Sequence, residues 1–286
     1  VLAAQIFRGR RSVTSILDVI PLDVSSHHRT GLKFRAFYEL AKRSEVILTL
    51  SEFSAGRISE RLGIDAGRIV VSPLPPRPCF IPASGESSSE DRIALQALGV
   101  RSPFFVTIAD LEVDDPRKRI EWLPAVARRL HGIGFSLVAV GAGSDSISPE
   151  GWIGLGRQPD CVLAALYRSA YALVFSSAYE GQGLPPLEAA ACGTPAVVMG
   201  NSSLTEIVGD AALVVEESIA PWVAAEGPHS DSDPGCGRLV EAAAELALSP
   251  SLRTSLATAC SDSAGRFGVE RFDRGLASAY GLESRE

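Results

Sequence analysis

Short, nearly unbroken apolar runs alternate along this chain with stretches in which apolar residues recur every three or four positions. The runs at 46–50, 69–72, 104–108, 136–140, 172–175 and 196–199 are rich in Val, Ile, Leu and Phe. A strand with one wet face alternates apolar and polar positions, whereas a strand covered on both faces does not. These runs therefore predict a parallel sheet flanked by helices. Between them, Phe34, Phe37, Tyr38 and Ala41 fall at i, i+3, i+4 and i+7. Leu163, Leu166, Tyr167 and Ala170 repeat that spacing behind the cap candidate Asp160. Ile120, Leu123, Ala127 and Leu130 predict another helix, whose upstream reach Pro124 limits because an interior proline removes a hydrogen bond. Strands alternating with helices make the fold class α/β.

A length of 286 residues allows about two domains, and 46% hydrophobic with 21% charged residues excludes a disordered chain or a small disulfide scaffold. The net charge of −7 repels nucleic-acid backbones, so no nucleic acid is expected as a partner. Cys79, Cys161, Cys192, Cys236 and Cys260 show neither metal-ligand nor redox spacing, which points to a reducing, cytoplasmic compartment. No apolar run approaches the ~18 residues that span a bilayer, and the first residues do not read as a basic-then-apolar signal pattern. Residues 73–90, with Pro75, Pro76, Pro78, Pro82 and three consecutive serines, are expected to be an interdomain linker. Residues 225–237 are expected to be a mobile surface loop, with His229, Asp231 and Asp233 as polar filler rather than metal ligands.

The chemistry concentrates in 172–199, ALVFSSAYEGQGLPPLEAAACGTPAVVM. A buried strand ends near Phe175, a polar turn runs to Gly183, and a helix starts around Leu184 and stops at Gly193. Pro185 and Pro186 are tolerable only in a first helical turn. Such a unit aims a helix N-terminus at the carboxyl edge of a parallel sheet, where unpaired N–H groups and the helix dipole attract an anion. Gly181 and Gly183 would let backbone approach a ligand. Glu180 and Glu188 frame the turn. They suit hydroxyls flanking a phosphate, or else act as a solvated loop acid and a first-turn dipole partner.

These residues closely resemble the nucleotide-sugar signature of glycosyltransferase family 4, retaining enzymes of the GT-B fold, in which two glutamates bracket a glycine turn. LTLSEFSAGRISERLGIDAGRIVVSP looks like the last part of that family's N-terminal domain, DPRKRI like its phosphate-binding turn, NSSLTEIVGDAALVVE like the segment after the signature, and FGVERFDRGLASAY like its closing helix. The resemblance covers most of the chain from about Leu17.

It implies two Rossmann-like domains: a partial acceptor-side domain at 1–80, a linker at 81–95, a donor-binding domain at 96–270, and a C-terminal helix and tail at 271–286. The chain opens at Val1 within a segment like the later part of an acceptor domain, so the family pattern places that domain's first strands upstream. The implied reaction moves a hexosyl group, with a lean toward mannosyl, from a nucleotide diphosphate sugar to a hydroxyl acceptor in glycan, polysaccharide or glycolipid synthesis. Glu180 would hold the donor sugar and Lys118 would neutralise the departing diphosphate. Arg117, the backbone of Gly181, Gln182, Gly183 and Leu184, and the Glu188 carboxylate on the ribose would complete donor binding. Arg117-Lys118-Arg119 also reads as a solvated basic helix start. The family uses no metal, no cofactor is expected, and the acceptor domain is a place for peripheral membrane contact.

The departures are Asp110 where an Arg is common, extra residues at 113–115, Gln182 where an aromatic is common, Thr205 where Pro is common, and Leu17 where a His precedes Asp18. His27 and His28, nearby, are expected to be surface residues. VAVGAG before Ser144 lacks the third glycine of the dinucleotide fingerprint, Ser146 standing in its place. Asp110 and Leu17 keep a second reading open, a non-catalytic nucleotide-sugar-binding subunit or an inactive fragment. An epimerase of similar fold would need an acid/base set not found here.

Overall fold

The computed structural model describes residues 12–24, 32–227 and 229–282; His27 and His28 lie outside them. Contacts divide the chain into a smaller unit, Val1–Pro75 with Glu180–Gln182 and Arg266–Glu286, and a larger one, Pro76–Tyr179 with Gly183–Gly265.

The smaller unit holds a parallel sheet in the order β1-β2-β3, formed by β1 (Val13–Ser15), β2 (Val46–Thr49) and β3 (Ile69–Val71). Successive residues of β2 serve opposite faces. Ile47 packs with Ile58 and Leu62 of one helix and Tyr38 of another, while Val46 and Leu48 pack with Ala279 near the C-terminus. The helices are α1 (Leu32–Ala41), α2 (Glu52–Leu62) and, as numbered below, α9 (Val269–Tyr280). Ser51 caps α2 by accepting a hydrogen bond from the Ser54 N–H, and Gly63 closes it in the left-handed conformation.

The larger unit is a six-stranded parallel sheet in the order β6-β5-β4-β7-β8-β9. Its strands are β4 (Phe104–Ile108), β5 (Ser136–Val140), β6 (Trp152–Gly154), β7 (Leu173–Phe175), β8 (Ala196–Gly200) and β9 (Ala212–Glu216). Its helices are α3 (Gly85–Ala97), α4 (Leu123–His131), α5 (Asp160–Ser169), α6 (Leu184–Ala191), α7 (Pro234–Leu248) and α8 (Pro250–Gly265). Phe104, Val106 and Val138 face one core with Leu166 of α5 and Ala189 of α6. Phe105, Leu137 and Val197 face the other with Leu130 of α4 and Leu239 of α7. With both faces covered, the strand positions are apolar apart from Thr107, Ser136 and Glu216, which is why the runs are nearly unbroken. β4 and β7 pair at Val106 and Leu173, and the sheet grows outward from that pair in both directions.

Two expectations are corrected. The boundary between the units, at Pro75 and Pro76, falls inside the stretch predicted to link domains, but that stretch lacks regular structure only to residue 84 and then becomes α3. Leu95 is buried in the core, and Asp91 takes the Arg168 guanidinium through two 2.6 Å hydrogen bonds. The loop predicted at 225–237 ends as the first turn of α7, with Cys236 fully buried. The imidazole of His229 meets the Trp122 ring edge-on at 5.7 Å and is nearly enclosed. Strands β1, β6 and β9 were not predicted, and the helix expected from Ile120 starts at Leu123, after a 3-10 turn at Ile120–Trp122.

Leu95→Ala should cost about 3 kcal/mol in chemical denaturation, as for other core truncations, whereas a linker residue would cost nothing. Burial, then the Arg119 charge, holds the His229 pKa below its ordinary 6.5 despite Asp233. Because the folded value is depressed, the stability this histidine contributes is present above pH 6.5 and is lost as pH falls through the folded value. His229→Gln should flatten that loss in denaturation measured across the acidic range.

Candidate active site

The carboxyl ends of β4 and β7 open onto a cavity of about 290 Å³ whose lining includes Ile108, Asp110, Lys118, Phe175 and Pro185. In an open parallel sheet this is where neighbouring crossovers diverge and a ligand fits. The basic turn predicted to bind phosphate is a 3-10 turn, Pro116–Lys118, tied to the residues that follow β7. The Ala178 N–H donates to the Arg117 carbonyl at 2.7 Å, and Ser176 Oγ donates to the Lys118 carbonyl at 2.7 Å. Arg117 Nη1 donates to the Tyr179 carbonyl at 2.9 Å, and its Nη2 lies 3.0 Å from Asp115. Lys118 Nζ sits 5.6 Å from the centroid of the Phe175 ring, within cation–π range.

The three adjacent basic residues have different fates. Arg119 turns inward, with backbone in the left-handed region at φ 50° and a side chain 2% exposed. Its Nη2 donates to Glu217 Oε1 at 2.6 Å and to the Ala224 carbonyl at 2.9 Å, while its guanidinium covers Trp122 at 4.3 Å. Glu217 Oε2 accepts from Asn201 Nδ2 at 2.7 Å. Arg119 is therefore no part of a solvated helix start; it anchors the turn bearing Arg117 and Lys118.

Helix α6 begins where expected, behind Gly183 at φ 86°, a conformation that favours glycine. Even with compatible backbone, a Cβ at Gly183 would meet Leu204 Cδ2 at 2.7 Å. The two prolines modify the expected anion site. Pro185 and Pro186 carry no N–H, so the first turn offers the Gly183 and Leu184 amides, and the dipole has fewer donors behind it. The cations of the neighbouring 3-10 turn are Arg117 and Lys118.

Glu188, one turn into α6, is buried, and its Oε1 accepts from Arg77 Nε at 3.0 Å and Nη2 at 2.9 Å. Burial raises the Glu188 pKa, and the Arg77 hydrogen bonds and charge oppose that rise. Arg77 also pairs with Asp160 at the start of α5 and covers the Phe80 ring at 4.8 Å. Neither Arg77 nor its link to Asp160 was anticipated, since the only signal was one basic residue inside a proline-rich stretch.

Glu180, Gly181 and Gln182 group with the smaller unit. There the Gly181 carbonyl accepts from Ser51 Oγ at 2.6 Å and Ser54 Oγ at 3.1 Å, and a Cβ at Gly181 would lie 3.1 Å from Asp18. The glycine thus admits Asp18 of the chain itself. Gln182 gives its whole amide to Leu74, accepting from the N–H at 3.0 Å and donating to the carbonyl at 2.7 Å. Arg117, Lys118, Gly183, Leu184 and Glu188 belong to the larger unit, Glu180 to the smaller.

Residues 102–225, which contain this cavity, match the family model Glycosyl transferases group 1. Through this domain the chain belongs to the group 1 glycosyltransferases. It is 32% identical over 227 residues, 73% of its length, to O-antigen chain mannosyltransferase B of Escherichia coli. It is 31% identical over 216 residues, 67% of its length, to the serotype-specific mannosyltransferase WbdA of Escherichia coli. The chain spans 58% of the first relative and 26% of the second. Anabaena HepE, solved in complex with UDP and glucose, matches 94% of the chain and is itself 71% covered, with a TM-score of 0.71 at 18% identity. That likeness establishes the fold class as α/β and GT-B-like.

Glu217→Ala should destabilise the larger unit by about 3 kcal/mol, because it leaves the Arg119 charge buried without its carboxylate. Unchanged stability in urea denaturation would mean that Arg119 does not anchor the turn.

Proposed function

We propose that this chain is a retaining glycosyltransferase that moves a hexosyl group, by preference mannosyl, from a nucleotide diphosphate sugar to a hydroxyl acceptor in polysaccharide synthesis. The observation that carries this reading is the cavity at the β4–β7 edge, with Lys118 beside Phe175 and the first turn of α6 at its wall. Departure of a nucleoside diphosphate builds negative charge, and fixed cations in a partly dry cleft stabilise it without reorganisation. Lys118 and Arg117 are assigned that task, the amides of Gly183 and Leu184 the adjoining oxygens, Glu188 the ribose hydroxyls and Glu180 the sugar. The mannosyl preference follows the two Escherichia coli relatives, both mannosyltransferases, and the nucleotide donor follows the UDP held by Anabaena HepE. Cysteines that are all unpaired fit work in the cytoplasm.

The binding-subunit reading rests on Asp110, which puts a carboxylate in the same cavity where a second cation would help. Arg157 lies 3.6 Å from Asp110 and 3.8 Å from Glu112, so the Asp110 carboxylate does not face the cavity without a counter-charge.

Thermal-shift screening of nucleotide sugars should identify the donor, because a ligand bound by the native state alone raises apparent stability. With that donor, Lys118→Ala and Glu180→Ala should each lower transfer about a hundredfold while the fold stays intact. Transfer within twofold of the parent would remove the residue from its assigned role. Donor binding without transfer or hydrolysis would leave the binding-subunit reading standing.

A further inference from the structure

Glu188 is held in an asymmetric way. Both Arg77 hydrogen bonds go to Oε1, and Oε2 has no hydrogen-bond partner among the described residues. Arg77 has little freedom to move. Pro76 and Pro78 flank it, its guanidinium lies on Phe80, and Nη1 is held by Asp160. Asp160 occupies the first turn of α5, where the helix dipole favours a carboxylate. One guanidinium therefore joins two carboxylates, one exposed and one buried, and spends both of its inner donors on a single oxygen of the buried one. The other groups near Glu188 are neutral in the physiological range. Burial raises the Tyr167 hydroxyl well above its ordinary value and pushes the Cys192 thiol up to about 12.

We infer that Arg77, braced by Asp160, is a positioning residue that locks Oε1 of Glu188 so that Oε2 faces the vicinal hydroxyls of the donor's ribose. The inference rests on the reading of this edge as a donor site. A carboxylate held at one oxygen keeps its charge and a fixed lone-pair direction at the other, and a diol can use both. Without the guanidinium, the buried carboxyl would rotate and tend toward its neutral form, so recognition of the ribose would weaken while contacts to phosphate persisted.

The test compares UDP and GDP with their 2′,3′-dideoxy counterparts by calorimetry on the chain and its variants. The parent should prefer the ribose form of the nucleotide it binds by about tenfold, the worth of a charge-assisted hydrogen bond of this kind. Arg77→Ala should abolish that preference while the dideoxy nucleotide binds as before, and Glu188→Gln should do the same. Asp160→Asn should reduce the preference part of the way. Should Arg77→Ala unfold the chain, Arg77→Lys, which keeps the charge and loses the fork, should lower the preference at least threefold. If Arg77→Ala, or Arg77→Lys in its place, keeps the parent's preference, the inference is overturned and the donor site stands. Equal weakening toward both nucleotide forms would also overturn it, assigning Arg77 a general structural role. Failure of the parent to bind either nucleotide would instead overturn the donor reading itself.

Discussion

The pairing of β4 with β7 is the constraint from which the rest of the larger unit follows. Parallel neighbours must be joined by crossovers, and crossovers of one hand that leave this pair in opposite directions separate at its carboxyl edge. The separation leaves backbone groups at the edge without strand partners. Beyond the edge, the Ala178 N–H and the Ser176 hydroxyl hook onto the carbonyls of Arg117 and Lys118. The turn that carries the cations is thus tied to the segment after β7 by one backbone and one side-chain hydrogen bond.

Charge at this edge is organised by depth. Arg119 is deepest and serves the backbone, Arg117 answers a local aspartate and a carbonyl, and Lys118 reaches the cavity wall. A run of three basic residues would repel itself if all three faced one way. A left-handed residue at position 119 turns the last one away, toward the Glu217 carboxylate and the Ala224 carbonyl that receive it. The prolines at the start of α6 act in the opposite sense, withdrawing amide donors from its first turn.

Much of this was legible in the order of residues, and the omissions have physical causes. The central strands were visible because two-sided burial demands unbroken apolar runs, whereas β1 and β6 are three residues long and give a periodicity search nothing to count. The helix after Gly183 was legible because only a first turn accepts two prolines. Helix α3 was hidden because its serines suggest a flexible connection and its one deeply buried aliphatic residue, Leu95, lies near its end. Lys118 and Glu188 were singled out through the family resemblance, whereas Arg77 was not singled out, since a bond from a proline-rich stretch to α6 leaves no local pattern. Gly181 was singled out as a place where backbone could approach a ligand; in the structure the neighbour that a Cβ there would crowd is Asp18.

The amide of Gln182 stands in for a peptide group: it pairs with the N–H and the carbonyl of Leu74 as a neighbouring strand would. Its identity is therefore coupled to a segment far away in the chain. An aromatic side chain at this position, common in the signature this turn resembles, would strand both backbone groups of Leu74, each at about 1–3 kcal/mol if left buried and dry. Drift at position 182 is thus permissible only when the path of residues 73–76 changes with it. A chimaera that imports a glycine turn from another member of the family inherits half of a two-part fitting and must import the other half as well.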